Sequence, residues 1–298
     1  MTAVSAAGGV ARPARPGSLR RGGATVSRKT GFFLLLAVFV IVSLFPFYWI
    51  VITSLKTSAE ISQGTTSLLP SHVTFSNYID DFTQQDFIRP LLNSILVSVS
   101  VTVISVILAS LAGYALSRTR IRGKTPILGF FLLGAFFPLL AMVGPLFILY
   151  KHIGLNDSYE GLIIACLIYT LPLATWLLTN YFSQIPRELE EAAVVDGLTR
   201  VKALYKVIMP VALPGVFTAT ILSFILAWND FTFALSFVGT DPTHFTAPLA
   251  IVNLGQSQYQ VYYNLIDAAV VIISVPIALI VILAQRRIVS GLTAGALK

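Results

Sequence analysis

The chain has 298 residues, of which 56% are apolar and only 11% are charged, and its mean hydropathy is +0.82. Because soluble domains carry about 25% charged residues, this composition excludes a water-soluble surface and predicts an all-α polytopic membrane protein. The single cysteine, Cys166, excludes a disulfide framework.

Six segments are apolar and long enough to cross a bilayer as helices of about 20 residues. They lie at residues 31–55, 91–117, 127–150, 161–182, 214–237 and 264–285. We expect them to form one membrane domain over residues 31–290. The preceding residues 1–30 are rich in Gly, Pro and Arg, which predicts a disordered basic tail. Residues 291–298 form a short C-terminal tail.

The basic residues predict the orientation of these spans. Of the 20 lysines and arginines, 17 fall in the two tails and in the second and fourth connections, which all lie on one side of the bilayer. The other side holds Lys56, Arg89 and Lys151. The positive-inside rule therefore predicts that both termini are cytoplasmic. This distribution also argues against nucleic-acid binding, although the net charge is +7.

The cytoplasmic loop at residues 184–210 is unusually polar and predicts two short helices. In the first helix, Leu189, Ala192 and Ala193 recur at helical spacing and form a narrow face of small side chains. Gly197 is expected to end this helix in the left-handed conformation that glycine adopts readily. Alanines bury little area in lipid, but they allow the backbone of another protein to approach closely.

The second predicted helix of the loop is amphipathic. Its apolar positions are spaced at i, i+3, i+4 and i+7, and they are Val201, Leu204, Tyr205 and Ile208. Pro210 is expected to end it before the next span begins. A helix pair of this kind could also lie on the lipid surface, which is the alternative to a protein interface.

The loop resembles the signature of bacterial ABC-importer permeases. Its sequence is Glu191-Ala192-Ala193, three residues, Gly197, nine residues, and then Val207-Ile208-Met209-Pro210, with Met209 and Val207 in place of the usual Leu and Ile. The stretches "NSILVSVSVTVISVILASLAGYALSR", "AWNDF" and "QRRIVSGLTAGALK" also look like the carbohydrate-uptake subfamily. Over residues 31–298 the chain is similar to the maltose-type second permease, which has six spans.

The resemblance implies a permease subunit of an ATP-driven sugar importer in the bacterial cytoplasmic membrane. Its expected partners are a cytosolic ATPase dimer, a second permease and an extracytoplasmic sugar-binding protein, which residues 56–89 would face. ATP and Mg would bind the ATPase, so that this chain has no cofactor and is not an enzyme. The sugar would be a disaccharide such as trehalose or maltose.

The resemblance also assigns residues to the contact with the ATPase. In the loop, which would act as a coupling helix, they are Glu190, Glu191, Ala192, Ala193, Asp196, Gly197 and Pro210. In the C-terminal tail they are Gly291, Leu292, Thr293, Ala294 and Gly295.

Four polar residues within the predicted spans are candidates for lining the translocation pathway. Asn229 and Asp230 lie in the fifth span, where Asp230 is about 24 Å from the cytoplasmic end at 1.5 Å per residue, and Asn93 and Ser94 begin the second. Polar residues at such depth face the bundle interior or water, but Asn229 and Asp230 could equally form a hydrogen bond that fixes helix packing. For Asn93 and Ser94, helix packing by small polar residues is the favoured interpretation. Pro138 and Pro145 predict a kink in the third span.

Two other functions remain possible from the sequence. A self-sufficient ion-coupled carrier or channel would use Asp230 and Asp267, although no internal repeat typical of carriers is evident. An intramembrane enzyme is disfavoured because the sequence holds no recognisable catalytic constellation and no metal-binding motif. A carrier would have no need of the charged loop at residues 184–210.

Overall fold

The computed structural model describes residues 22–63, 67–119, 121–135, 137–239, 241–254 and 261–296, without the side chains of residues 22–28, 135 and 286–296. All the regular elements in these ranges are helices, which we number α1 to α14. The chain divides into two compact units, Met1–Trp49 and Ile50–Lys298.

The first predicted span is part of a longer helix. Helix α1 covers Gly22–Ser54, so that residues 22–30, which we predicted to be part of a disordered tail, continue the helix. Residues 1–21 lie outside the described part of the chain. Within the first unit, the rings of Phe45 and Trp49 are in contact, with centroids 6.2 Å apart.

Two short helices that were not predicted follow α1. They are α2 (Ser58–Ser62) and α3 (Ser76–Thr83). The buried Asn77 amide fixes α3 because it donates to the carbonyl oxygens of Ser54 and Lys56 at 2.7 and 2.8 Å. Its own oxygen accepts a hydrogen bond from Asn264 at the start of the last helix.

The centre of the second unit is the pair of long helices α4 (Ile88–Arg118) and α7 (Tyr159–Gln184), which pack along each other. They agree with the second and fourth predicted spans. Gly113 makes the close approach possible, because a Cβ atom there would lie 3.0 Å from the backbone nitrogen of Thr179. A side chain at this position would force the two backbones apart.

The third predicted span is divided into two helices. Helices α5 (Lys124–Ala135) and α6 (Leu139–Ile153) are bent by 85°. Pro138 lies at the break, where a proline disfavours helical geometry in the preceding residue and supplies no N–H group. Pro145 is accommodated inside α6, so the predicted bend is at Pro138 alone.

The loop between α7 and the fifth span is helical for most of its length. It contains α8 (Arg187–Val195) and α9 (Arg200–Ala203), followed by a π-helical turn over Leu204–Ile208 and the short α10 (Met209–Val211). Helix α11 (Leu213–Trp228) follows after a bend of 86°.

The fifth predicted span, residues 214–237, is interrupted. Helix α11 ends at Trp228 and α12 begins at Thr232, so Asp230 lies in the break and not in a continuous helix as we predicted. The side chains of the break explain it. Asn229 donates to the carbonyl of Ile225, and Asp230 accepts a hydrogen bond from the Ala234 amide, and such local bonds compete with helix continuation.

The remaining elements are α12 (Thr232–Phe237), a 3₁₀ turn over Pro242–His244, α13 (Ala247–Asn253) and α14 (Tyr263–Ala296). The last helix includes the sixth predicted span and continues past it. In the described part of the chain, four helices are long and apolar enough to cross a membrane by themselves, and the two bent pairs raise that number to six.

Candidate functional site

Helix α8 ends in a hydrogen-bonded turn built on Gly197. This glycine has a φ of +87°, which confirms the predicted left-handed conformation. The Gly197 amide donates to the carbonyl of Val194, and the Leu198 amide donates to that of Ala193, both at 3.0 Å. This pair of bonds satisfies the carbonyls at the helix end and fixes the direction in which the chain leaves it.

The second helix of the loop is anchored in the bundle, although by a face that differs from the predicted one. Leu204 and Ile208 are fully buried and pack with side chains of α4 and α7, but Val201 and Tyr205 are exposed. Pro210 follows the π-helical turn and lies within α10, so it does not end the helix as we predicted. Since proline cannot donate to the carbonyl of Lys206, the wider turn accommodates it.

The acidic and small residues of α8 point in different directions. Glu190 turns toward the end of α4, where it contacts Tyr114 and Arg118. Glu191 and Ala192 are exposed, and Ala193 is buried. The predicted face of small residues is therefore divided between the bundle and the outer surface.

Large apolar side chains of this loop are exposed, and in α8 they point to different sides of the helix. They are Leu189, Val194, Val195, Val201 and Tyr205. Val195 is 86% exposed at the last turn of α8. Val194 and Val195 also line a groove of about 690 Å³, together with Tyr114, Arg118, Arg187, Glu190, Glu191 and Arg200. Exposed apolar side chains beside a groove of this kind mark an interaction site, and of the three in α8 the sequence predicted only Leu189 as part of an apolar face.

Asn93 and Ser94, two of the candidates for the pathway, fasten another segment of the chain. The Asn93 amide donates to the carbonyls of Thr243 and Phe245, both at 2.9 Å, and accepts from the Tyr159 hydroxyl at 2.8 Å. The Ser94 hydroxyl accepts a hydrogen bond from the Ala247 amide at 2.7 Å. Both side chains are buried, and they hold the segment before α13 against the start of α4.

Asn229 and Asp230 lie together beside a second groove. This groove has a volume of about 440 Å³ and is lined mainly by apolar side chains, together with Tyr169 and Thr232. Asn229 is exposed, whereas Asp230 is only 8% exposed and accepts a hydrogen bond from the Ala234 backbone amide. The structure thus separates the four candidates into two pairs. Asn93 and Ser94 hold another segment of the chain, whereas Asn229 and Asp230 lie beside the groove.

The predicted tail residues are described by their backbone only. Residues 291–295 continue α14, which ends at Ala296, and their side chains lie outside the described part of the chain. Among the described residues, no group of three or more His, Cys, Asp or Glu side chains is placed to hold a metal ion.

Comparison with known proteins identifies the family. Residues 104–293 match the binding-protein-dependent transport system inner membrane component family. The chain belongs to this family. Its permease fold is also found in the crystal structure of a bacterial ABC transporter involved in the import of the acidic polysaccharide alginate, with a TM-score of 0.75 and 26% identity over 91% of this chain and 99% of that one.

Two curated relatives are similar to the permease over most of their length. The sulfoquinovosyl glycerol transport system permease protein SmoH of Agrobacterium fabrum is 39% identical over 89% of this chain and 93% of its own. The trehalose transport system permease protein SugB of Mycobacterium tuberculosis is 44% identical over 86% of this chain and 93% of its own. The expected assignment to the sugar-transporting ABC permeases is thereby confirmed. Subunits of this kind are transport components and not catalysts.

Proposed function

We propose that this permease forms half of the translocation pathway of an ATP-driven disaccharide importer and that its loop at residues 184–210 couples it to a cytosolic ATPase. The similarity to a trehalose permease supports the disaccharide. In this proposal the partners are an ATPase dimer, a second homologous permease and an extracytoplasmic sugar-binding protein. ATP and Mg bind the ATPase.

The exposed apolar side chains of the loop carry the proposal. A solvent-exposed helix would gain nothing from presenting Val194 and Val195 at its last turn, and burial of apolar area against a partner contributes about 25 cal/mol per Å². The exposed Glu191 and Ala192 lie on the same short helix. Because Leu204 and Ile208 anchor the following helix in the bundle, a force on the loop can reach the spans.

The topology in this proposal has six spans and two cytoplasmic termini. Four spans are continuous helices, the third span is the bent pair α5–α6, and the fifth contains α11, whose bent partner Arg200–Val211 belongs to the loop. The excess of basic residues in the tails and in the loop supports this orientation. The C-terminal end of α14, with Gly291, Leu292, Thr293, Ala294 and Gly295, would then face the ATPase.

The groove beside Asn229 and Asp230 is our candidate for the part of the pathway contributed by this chain. An apolar wall with a few polar groups suits a sugar, which has apolar C–H faces and polar hydroxyls. Asn93 and Ser94 are less suited to contact a sugar because their hydrogen-bonding groups are used within the chain.

The alternative of a self-sufficient carrier receives little support from the geometry. Such a carrier needs carboxylates that can bind and release an ion. Asp230 instead accepts a hydrogen bond from the Ala234 backbone amide at the start of α12. Asp267 lies separately on α14, where it is half-buried. A carrier also gives no account of the exposed apolar side chains of the loop.

Copurification and solute-stimulated ATP hydrolysis test the proposal. The tagged permease is purified from membranes of its native host, reconstituted with the subunits that accompany it, and supplied with trehalose, maltose or glycerol phosphate. We expect an ATPase subunit in the complex and hydrolysis that a disaccharide stimulates. A purified permease that transports sugar without an accompanying ATPase would contradict the proposal.

A further inference from the structure

A polar cluster joins the C-terminal end of α4 to α8. The Tyr114 hydroxyl donates a hydrogen bond of 2.5 Å to one carboxylate oxygen of Glu190. The Nε atom of Arg118 lies 3.7 Å from the other oxygen. Tyr114 and Arg118 are one helical turn apart, so both side chains reach the same carboxylate from one face of α4.

The guanidinium group of Arg118 also holds the chain where it enters α8. Its Nη2 atom donates to the carbonyl of Ile185 at 2.8 Å. The side chains of Arg118 and Glu190 are only 4% and 16% exposed, which shields their interaction from water. The cluster thus fixes both the entry to α8 and its first turn to the end of α4.

The apolar attachment of α8 to the bundle is slight by comparison. Within α8, Ala193 is the buried residue, and an alanine contributes little apolar area. The large apolar side chains of this helix, Leu189, Val194 and Val195, are exposed. A displacement applied to α8 would therefore rotate or detach the helix unless the polar cluster held it.

We propose that Tyr114 and Arg118 are positioning residues that clamp Glu190, so that α8 and the end of α4 move as one body during transport. Gly113, next to Tyr114, is in close contact with the backbone of α7 at Thr179. A displacement of α8 would pass through the clamp into the α4–α7 pair. This inference rests on the proposed function, because the displacement comes from the ATPase.

Removing the clamp should uncouple transport from ATP hydrolysis. In reconstituted complexes supplied with trehalose, we expect Tyr114→Phe to lower the amount of sugar moved per ATP hydrolysed about tenfold, since it deletes a hydrogen bond to a charged group and keeps the ring. Arg118→Lys should lower it as well, because lysine cannot reach both Glu190 and the Ile185 carbonyl. Glu190→Gln should have a smaller effect, since its amide oxygen can still accept the tyrosine hydrogen bond.

Two matched variants control for the chemistry of the changes. Glu188→Gln alters an exposed carboxylate on the same helix, and Tyr150→Phe removes a buried hydroxyl that has no hydrogen-bond partner among the described residues. We expect both to keep the unaltered ratio of sugar to ATP. A cross-link from a photoreactive side chain at Val195 to the ATPase reports separately whether α8 is docked.

The outcomes distinguish this inference from the proposed function. A lower ratio with an intact Val195 cross-link supports the clamp. If the cross-link forms and Tyr114→Phe, Arg118→Lys and Glu190→Gln all keep the unaltered ratio, the clamp is refuted and the docking of α8 stands. If the Val195 cross-link to the ATPase does not form when the rest of the complex is unaltered, the proposed docking of α8 is itself refuted. If Tyr114→Phe fails to assemble, Arg118→Lys and Glu190→Gln decide by the same ratio.

Discussion

At its N-terminal end, α4 holds a distant segment by hydrogen bonds between its side chains and backbone groups, one of them from Arg89 to the Thr243 carbonyl at 3.1 Å. Asn93 and Ser94 bond to the backbone of residues 243–247, and Tyr159 completes the network. At its C-terminal end, α4 holds α8 through a hydrogen bond from Tyr114 and an ion pair from Arg118 to the Glu190 carboxylate, and Arg118 also donates to the Ile185 carbonyl. Both ends fasten a segment that follows α4 by many residues.

The two ends differ in what the fastened segment leaves uncovered. Beside Asn93, the segment that follows packs Phe245 and Ala247 against apolar side chains of α4 and α14. On α8, large apolar side chains are exposed, and Val195 is the most exposed of them. The comparison teaches that a polar residue in a span is not by itself evidence of a pathway, and that an interface is better indicated by exposed apolar side chains on a fastened helix.

Changes in and beside α8, at the C-terminal end of α4, should have the largest effect on transport. We expect Gly197→Leu and Glu191→Lys each to lower sugar uptake at least tenfold while the permease still inserts. A side chain at Gly197 meets no atom within 4 Å, so the cost of about 1–2 kcal/mol comes from the left-handed backbone. Glu191 is exposed, so its reversal acts on a partner. Uptake and membrane content are measured together in cells.

The control variant is Gly197→Asn, since asparagine tolerates the left-handed conformation better than most residues other than glycine. It should retain most of the uptake. Normal sugar uptake with Gly197→Leu and Glu191→Lys would show that α8 does not dock a partner, and would contradict the contrast between the two ends of α4.

A change at Asn93, at the N-terminal end of α4, should affect the stability of the permease more than it affects the docking of the ATPase. We expect Asn93→Ala to lower the free energy of unfolding by about 3 kcal/mol, at about 1 kcal/mol for each of its hydrogen bonds. Thermal unfolding in detergent measures this. Asn253→Ala is the control because the side-chain hydrogen bond of Asn253 within the described residues, to the Leu249 carbonyl, is long at 3.5 Å. Its loss should cost less than about 0.5 kcal/mol. Equal midpoints for the two variants would show that Asn93 does not fasten the segment.

The smallest expected effect concerns Asp81, which lies in α3 just before α4. Burial, and then the neighbouring Asp80, raise the pKa of this carboxyl to about 7. The folded state therefore keeps a proton that the unfolded chain loses at a pKa of about 3.9. The associated stability is complete below that pH and is lost as the pH rises through 7.

Asp81→Asn should remove this loss. We expect it to raise the free energy of unfolding by roughly 2 kcal/mol more at pH 8 than at pH 5, and thermal unfolding at the two pH values measures the difference. A matched comparison is Asp80→Asn, at the half-buried neighbour that contributes the smaller part of the raised Asp81 pKa, and it should show a smaller dependence on pH. Identical pH profiles for Asp81→Asn and the unaltered chain would contradict the assigned pKa.

Four of the six apolar segments that hydropathy predicted coincide with the long helices α1, α4, α7 and α14, because about 20 apolar residues favour a helix in a bilayer. Hydropathy did not predict the end of α11 at Trp228. The apolar run continues to Phe237, and the break depends on side-chain bonds of Asn229 and Asp230 that compete with the helix. The adjacent Asn and Asp in "AWNDF" were the available signal, since both residues favour helix ends over helix interiors.

The loop was predicted as far as local sequence determines it. Gly197 ends α8 as expected, because glycine enters the left-handed conformation without strain. The inward direction of Glu190 could not be predicted, because it depends on Tyr114 and Arg118, more than 70 residues earlier in the chain. Their spacing of four residues at the end of a span was the only indication that they act together.

A cryo-electron microscopy map of the purified complex, with ATP analogue bound, tests the central claim most directly. The account predicts that Glu191, Ala192 and Val195 lie within about 4.5 Å of another polypeptide, the distance of side-chain contact. It also predicts that Glu190 faces Tyr114 in the same map. A map in which α8 contacts only solvent or phospholipid head groups would contradict the account.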